Sequence, residues 1–230
     1  MDVNRGQTIH EVRAAGIVFR LRYWLAKLIY YGSFVLLVRD GRWQREVFEA
    51  LAPKAGDRIL DFGAGSSSTA TSLALRYPEA TFVGADPSSK AVENARRSVL
   101  RNKLGNISVV DIAPDGKLPF DAGSFDKAVC MLGLHDSPPE EKLRIVKELV
   151  RVVRRGGTVH VADFDKPENP REGRILEFAR RISGQAAVAP HVDGSWTECL
   201  AKGGLTGVRR QSSCSLGIGR ISVVKARKRA

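Results

Sequence analysis

From Gly56 onward, short apolar runs alternate with stretches whose apolar positions recur at helical spacing. The runs Arg58 to Phe62, Thr81 to Ala85, Ile107 to Val110, Phe125 to Met131, Thr158 to Phe164, Val208 to Ser212 and Ile218 to Val224 predict strands. Helical spacing covers roughly Ser67 to Arg76, Ser88 to Asn102, Pro138 to Arg155, Arg171 to Ser183 and Ser195 to Lys202. This alternation predicts an α/β fold: a doubly wound, mostly parallel, Rossmann-like sheet of seven strands with helices on both faces. The last two runs are joined by a short connection, which predicts an antiparallel C-terminal hairpin.

Punctuation sharpens the pattern. Ser137-Pro138-Pro139-Glu140 reads as a capping box with proline at the first helical position. Gly156-Gly157 reads as the left-handed end of the same helix. Residues 1–50 read as a helical N-terminal cap or lid, separate from a domain over 51–230. In the cap, Ile17, Leu21, Trp24, Leu25 and Leu28 share one helical face, flanked by Arg13, Arg20 and Lys27. Such a helix can close over a site, or lie on an anionic membrane surface. Leu28 to Val38 carries no charge but spans only 11 residues, against about 20 for a membrane span.

Composition adds bounds. The 230 residues suit one α/β domain with an appendage, and 43% apolar content suffices for a core. Cys130, Cys199 and Cys214 show no metal-ligand spacing, and no secretory signal is read at the start; the expectation is free thiols in a reducing cytoplasm. The net charge of +12 favours polyanionic partners: an anionic membrane face, an acidic protein or nucleic acid. A solvated Arg-rich surface explains the same number.

The chemistry concentrates in RILDFGAGSSSTA (Arg58 to Ala70) and in Asp86, 21 residues after Gly65. Gly63 and Gly65, with Ala64 between them, let a backbone loop approach a ligand closely. Asp61 precedes that turn, where a carboxylate can support a ligand amine. Asp86 suits the vicinal hydroxyls of a ribose, since a carboxylate offers two acceptor oxygens. Pro87 and Ser88 start the next helix, with Ser88 as its cap and Asp86 left free for a ligand. Asp111 ends the third strand, positioned for an adenine amino group, with Ile112 offering a backbone N–H and an apolar contact. A dinucleotide fingerprint would need a third glycine at Ser68, and no Gly-Lys-Ser/Thr of a P-loop follows.

These motifs resemble a class I S-adenosylmethionine-dependent methyltransferase. The resemblance runs from about Gly56 to Val224 and rests on ILDFGAG (Ile59 to Gly65), VGAD (Val83 to Asp86), the stretch from Val109 to Val129, LHD (Leu134 to Asp136) and LVRVVRRGGTVHVADF (Leu149 to Phe164). The LPF…SFD block and the Gly-Gly after the helix are similar to the subgroup acting on quinone precursors, sterols, phospholipids and other small molecules. The chain departs from the family pattern at Ser67, where a third loop glycine is usual, and at Asp136, where a second histidine is usual.

The resemblance implies S-adenosylmethionine as cofactor and a small, apolar, lipid- or quinone-like acceptor. It places Asp61, Gly63, Ala64, Gly65, Asp86, Pro87, Asp111 and Ile112 around the cofactor. His135, after the fourth strand, is the candidate base or acceptor contact. Asp163 and Asp165, after the fifth, are possible contacts, though solvated loop acids are the plainer reading. Tyr23, Tyr30 and Tyr31 supply a possible lid. Ser137-Pro138-Pro139 imitates the motif of base-amino methyltransferases, but Glu140 stands where an aromatic residue is needed. Nucleic acid is therefore disfavoured, and an RNA methyltransferase stays as an alternative beside a catalytically silent cofactor-binding protein. The expected place is the cytoplasm, with a possible peripheral contact at the inner membrane surface.

Overall fold

A computed structural model describes residues 41–63, 69–217 and 219–230, together with Trp24, Leu25, Leu28 and Gly32. The chain order is α1 (Gly41–Leu51), β1 (Arg58–Phe62), α2 (Thr69–Arg76), β2 (Thr81–Asp86), α3 (Ser89–Arg101), β3 (Ile107–Asp111) and β4 (Phe125–Met131). Then follow α4 (Pro139–Val152), β5 (Val153–Phe164), α5 (Gly173–Ser183), α6 (Gln185–Asp193), a 3-10 turn (Ser195–Thr197), α7 (Glu198–Lys202), β6 (Leu205–Ser215) and β7 (Arg220–Lys228).

Among the described residues the strands form one seven-stranded sheet in the order β3-β2-β1-β4-β5-β7-β6. The first five run parallel, and β7 is antiparallel to both β5 and β6. The chain winds outward from β1 to β3, then returns across β1 to lay down β4. That reversal opens a crevice above the carboxyl ends of β1 and β4, the usual ligand position in an open α/β sheet.

Successive residues of a strand point to opposite faces, and here both faces are covered. Leu60, Val83, Ala128, Val159 and Val161 pack with Ile145, Val146 and Leu149 of α4. Ile59, Phe82, Val129 and Ala162 pack on the other side with α1, α2 and α5. Trp43, Val47, Phe48 and Leu51 of α1 recur on one helical face and are buried in that second layer. The last part of the segment read as a cap is thus built into the fold. Tyr23, Tyr30 and Tyr31 lie outside the described residues, as do Ala64, Gly65, Ser66, Ser67, Ser68 and Ile218.

The structure corrects three local expectations. The helix α4 ends at Val152, and Val153 already pairs with Phe125 as the start of β5. The register then jumps to Lys127 opposite Thr158, so Gly156-Gly157 serves a strand irregularity rather than a helix stop. Gly156 has a φ of 73°, and a Cβ on Gly157 would stand 2.5 Å from the Asp126 carbonyl oxygen. Second, the N-cap of α4 is Pro138, with no side-chain cap bond, so Ser137 forms no capping box. Third, α6 was not predicted: Pro190 interrupts its pattern, and Ala187, Val188 and His191 are buried without amphipathic spacing.

A row of cations crosses the sheet near its β6 edge. Arg209 is registered directly against Lys225, and Arg227 lies opposite Thr158. Burial, then Lys127, Arg227, Arg209 and Lys54, hold the Lys225 ammonium below its usual pKa. Like charges facing across strands are destabilising. Lys225→Gln should therefore raise stability by about 0.5 kcal/mol, seen as a higher urea midpoint with unchanged slope. The gain should shrink at about 1 M salt, where charges are screened beyond roughly 3 Å. An unchanged midpoint at low salt would show that the row does not repel itself.

Candidate functional site

The loops above the parallel strands enclose a cleft of about 800 Å³. Gly63 from the end of β1, Asp86 and Pro87 from β2, and Asp111 and Ile112 from β3 all line it. The sheet thus brings these five positions to one cavity. Gly63 has a φ of 72°, the left-handed conformation that a residue with a Cβ adopts at a cost. Its N–H donates to the Ala85 carbonyl at 2.8 Å, which ties the turn after β1 to β2.

Asp61, on β1 just before this turn, is buried and is not among the residues that line the cleft. Its carboxyl pKa is pushed up to about 7, by burial first and then by the nearby Asp86 charge, against a bond from the Ala70 N–H. Its Oδ2 is buried and accepts no hydrogen bond among the described residues. A buried acceptor without a donor is costly. A ligand ammonium would supply both the missing donor and an opposing charge.

Asp86 is buried as well, but it is not free. Its Oδ1 accepts the Ser88 N–H at 2.8 Å, while the Ser88 hydroxyl caps α3 by accepting the Ala91 N–H. Ile112 is likewise corrected in part: its N–H donates to the Asp86 carbonyl at 3.0 Å, so it offers the cleft an apolar side chain and no N–H. Asp111 stands half exposed with Arg96 at 3.3 Å.

The far wall was not anticipated. Lys117 and Pro119 in the β3–β4 connection and Glu141 and Arg144 on α4 line the same cleft. Arg144 bonds both Glu141 and the Asp115 carbonyl, tying the connection to the helix. The i,i+3 spacing of Glu141 and Arg144 was the available sequence signal.

His135 does not line this cleft, although Gly133 and Ser137 on either side of it do. It is 1% exposed, with Nδ1 3.0 Å from Asp163 Oδ1 and Nε2 3.4 Å from Asp136 Oδ2. Against burial, Asp163 and then Asp136 raise its pKa above the usual histidine value. Asp163 and Asp165 are not solvated loop acids: both are buried. Asp165 bonds the Trp196 indole N–H at 3.1 Å and pairs with Arg210 at 2.5 Å. Lys142 and His191, which no motif flagged, complete this buried polar group. The Lys142 ammonium donates to the Ser137 and Ala187 carbonyls, and His191 stacks on Trp196 at 5.4 Å.

Comparison with known proteins bears on this geometry. Residues 59–157 match the family model described as a methyltransferase domain. Over 132 residues the chain is 35% identical to a demethylmenaquinone methyltransferase of Clavibacter sepedonicus, covering 57% of this chain and 51% of that protein. It is 27% identical over 132 residues to a ubiquinone/menaquinone biosynthesis C-methyltransferase of Geobacter sp. (strain M21), covering 57% and 55%. The chain thus spans about half the length of these curated relatives. A solved structure of a SAM dependent methyltransferase from Aquifex aeolicus superposes with a TM-score of 0.60 at 20% identity, over 85% of this chain and 96% of that one. That likeness speaks for the fold alone. Residues 59–157, which hold β1, Gly63, Asp86 and Asp111, are thus the part of the chain that is similar to the methyltransferase domain family.

Proposed function

We propose that this chain transfers a methyl group from S-adenosylmethionine to a small apolar acceptor of quinone-like type. The observation that carries the cofactor is the orphaned Oδ2 of Asp61 behind a cleft edged by a second buried acid, Asp86. The cofactor brings an ammonium, a ribose diol, an adenine and a methyl activated by its sulfonium. The residues fit those groups: Asp61 for the ammonium, Asp86 for the diol, and Ile112 and Phe62 for an apolar adenine contact. Asp111 suits the adenine amino group, and Gly63 and Pro87 shape the loops between. Ala64 and Gly65, read from the sequence as cofactor-binding, belong to the same proposal. The names of the relatives, methylating demethylmenaquinone or acting in ubiquinone and menaquinone synthesis, support the acceptor class.

The protein's own task is to orient and to keep water out, which can remove about 7–11 kcal/mol of a bimolecular barrier. His135 serves as base for an acceptor that must lose a proton. Tyr23, Tyr30 and Tyr31, on the cap read over residues 1–50, close over the acceptor. Trp24, Leu25 and Leu28 are helical and exposed. They support a peripheral contact with a membrane that holds the acceptor, at the cytoplasmic face. Among the described residues no helix is long and apolar enough to cross a membrane.

Asp86→Ala should weaken cofactor binding by roughly 1.5–3 kcal/mol, the worth of hydrogen bonds to a charged group. Calorimetry on the folded variant checks this; unchanged affinity would place the ribose elsewhere.

Asp61 gives a pH signature. Its folded pKa of about 7 lies above the unfolded value of 3.8, so its contribution to stability is full below pH 3.8 and is lost as pH rises through about 7. Asp61→Asn should therefore be more stable than the native protein at pH 8, by more than about 1.4 kcal/mol, while losing cofactor affinity. In the native protein at pH 6, binding a cation beside Asp61 should release a proton. Calorimetry in two buffers of different ionisation heat would read that release; identical heats would remove Asp61 from the ammonium site.

Mutating Trp24, Leu25 and Leu28 together to Ser should abolish co-sedimentation with vesicles of 30% anionic phospholipid (roughly a typical anionic surface). Unchanged binding would take the membrane contact away from this helix.

A further inference from the structure

We infer that Lys54, Arg209, Lys225 and Arg227 form a second binding site, for a small oligophosphate held through its phosphate groups. The site is separate from the cleft. Its neighbour Lys127 stands near the amino end of β4, whereas the cleft opens above the carboxyl ends of the strands. The inference stands without the methyltransferase reading.

Strand register gathers the cations on one face, in two adjacent rows. In the first row Lys127 of β4 pairs with Thr158 of β5, Thr158 with Arg227 of β7, and Arg227 with Thr206 of β6. In the second, His160 of β5 pairs with Lys225 of β7, and Lys225 with Arg209 of β6. Lys225 and Arg227 are two residues apart, so both rows share the face. At about 4.8 Å per strand and 3.4 Å per residue, the patch spans roughly 14 by 7 Å. Lys54, in the loop after α1, lies near enough to bear on Lys225. The patch is compact. On one side it ends at β6, the last strand of the sheet, and on the other at Ile59, buried beside Lys127. It suits a compact polyanion rather than a long chain tracked across the surface. An anionic membrane seated here would leave the cleft at the far end of the strands.

No acid answers these charges. Lys54, Arg209 and Arg227 are exposed and Lys225 is half-buried. Among the described residues none of the four side chains makes an ion pair or a hydrogen bond. Lys127 differs, since Asp57 and the Leu51 and Ala52 carbonyls already hold it. On the same two strands, Arg210 pairs with Asp165, and Arg220 with Glu168 and Glu172. The fold thus neutralises other cations of β6 and β7 and leaves this cluster facing itself. His160 adds no charge: burial, then Lys225 and Lys127, push its pKa down to about 3. Like charges in cross-strand register cost stability, and an anion between them removes that cost. Phosphate oxygens suit the cluster, because the arginine fork binds them in pairs and a lysine ammonium meets them as a point charge. An oligophosphate places several negative charges a few Å apart and can meet Arg209, Lys225 and Arg227 together. A single phosphate reaches fewer of them.

Calorimetric titration of the full chain with sodium tripolyphosphate tests the site. Low salt, about 0.05 M, should show saturable binding, and about 1 M salt should remove it, since charges are then screened beyond roughly 3 Å. Inorganic phosphate at equal ionic strength should bind at least about tenfold more weakly. Lys225→Gln should weaken tripolyphosphate about fivefold or more, and adding Arg209→Gln should abolish saturable binding. Because Lys225→Gln is expected to be the more stable protein, its loss of binding is not a loss of folding. Arg101→Gln, at the exposed end of α3, removes the same charge elsewhere and should keep affinity within about twofold. Equal losses in Arg101→Gln and Lys225→Gln would overturn the proposal, since net charge would then explain the binding. It is overturned as well if the native protein takes up no tripolyphosphate while single-stranded RNA or anionic vesicles bind; the cluster would then serve a macromolecular surface. A chain that binds S-adenosylmethionine but no tripolyphosphate sinks this inference alone.

Discussion

A carboxylate removed from water stays charged only where donors surround it. Two aspartates on the strands flanking β4 meet that constraint in opposite ways. Asp163 on β5 has three backbone N–H groups and a histidine, and stays ionised with no surface exposed. Asp61 on β1 has the Ala70 N–H and a bare Oδ2, and its pKa climbs to about 7. Cys130, on β4 between them, registers both charges: burial, then Asp163, then Asp61, drive its thiol pKa well up. One acid is completed by the protein. The other keeps a buried oxygen that has no donor among the described residues.

The sheet order makes this contrast possible. Because β4 is laid down on the far side of β1, the two acids end up on either side of one strand end. The same reversal separates the loops of β1, β2 and β3 from those of β4 and β5. Gly63, Asp86 and Asp111 line the cleft on the first side. His135, Asp136 and Asp163 form a cluster of close polar contacts on the second. Gly133 and Ser137 border both, so a small acceptor between the two halves would touch each.

The strands of this fold were legible because each is a short apolar run that both faces of the sheet bury. Arg58–Phe62 and Phe125–Met131 match their predicted bounds for that reason. The start of β5 was not legible. Val153 to Gly157 carries two arginines and two glycines, which by composition end a helix, and only the pairing with β4 makes a strand of them. Asp86 and Asp111 could be placed from the sequence because each ends a strand, and both strand ends meet one cleft. What their oxygens bond could not be read so. The Ser88 N–H on Asp86 is a local turn, whereas two of the three amides on Asp163 come from a segment 28 and 29 residues away. An acid after an apolar strand looks the same in sequence whether water or the protein solvates it.

The LPF…SFD block shows how a motif that looks like a ligand signature can owe its form to packing. Leu118 is buried in the core, and its N–H donates to Glu148 of α4 at 2.7 Å. Arg151, one turn on, donates to the Leu118 and Phe120 carbonyls at 3.0 and 2.6 Å, while bonding Glu148 itself. Phe120 meets Phe125 edge-on at 4.9 Å, and the Arg58 guanidinium lies over Phe125 at 4.8 Å. A loop without regular structure has backbone groups that need partners. Here the helix supplies them through a Glu–Arg pair three residues apart, so the pair spends its charge on the backbone rather than only on itself. The loop fixed in this way carries Lys117 and Pro119 to the cleft, and Ile112 lies at its start. The wall of the site facing the glycine turn is therefore set by α4 packing, and its precision comes from residues that never reach the cavity.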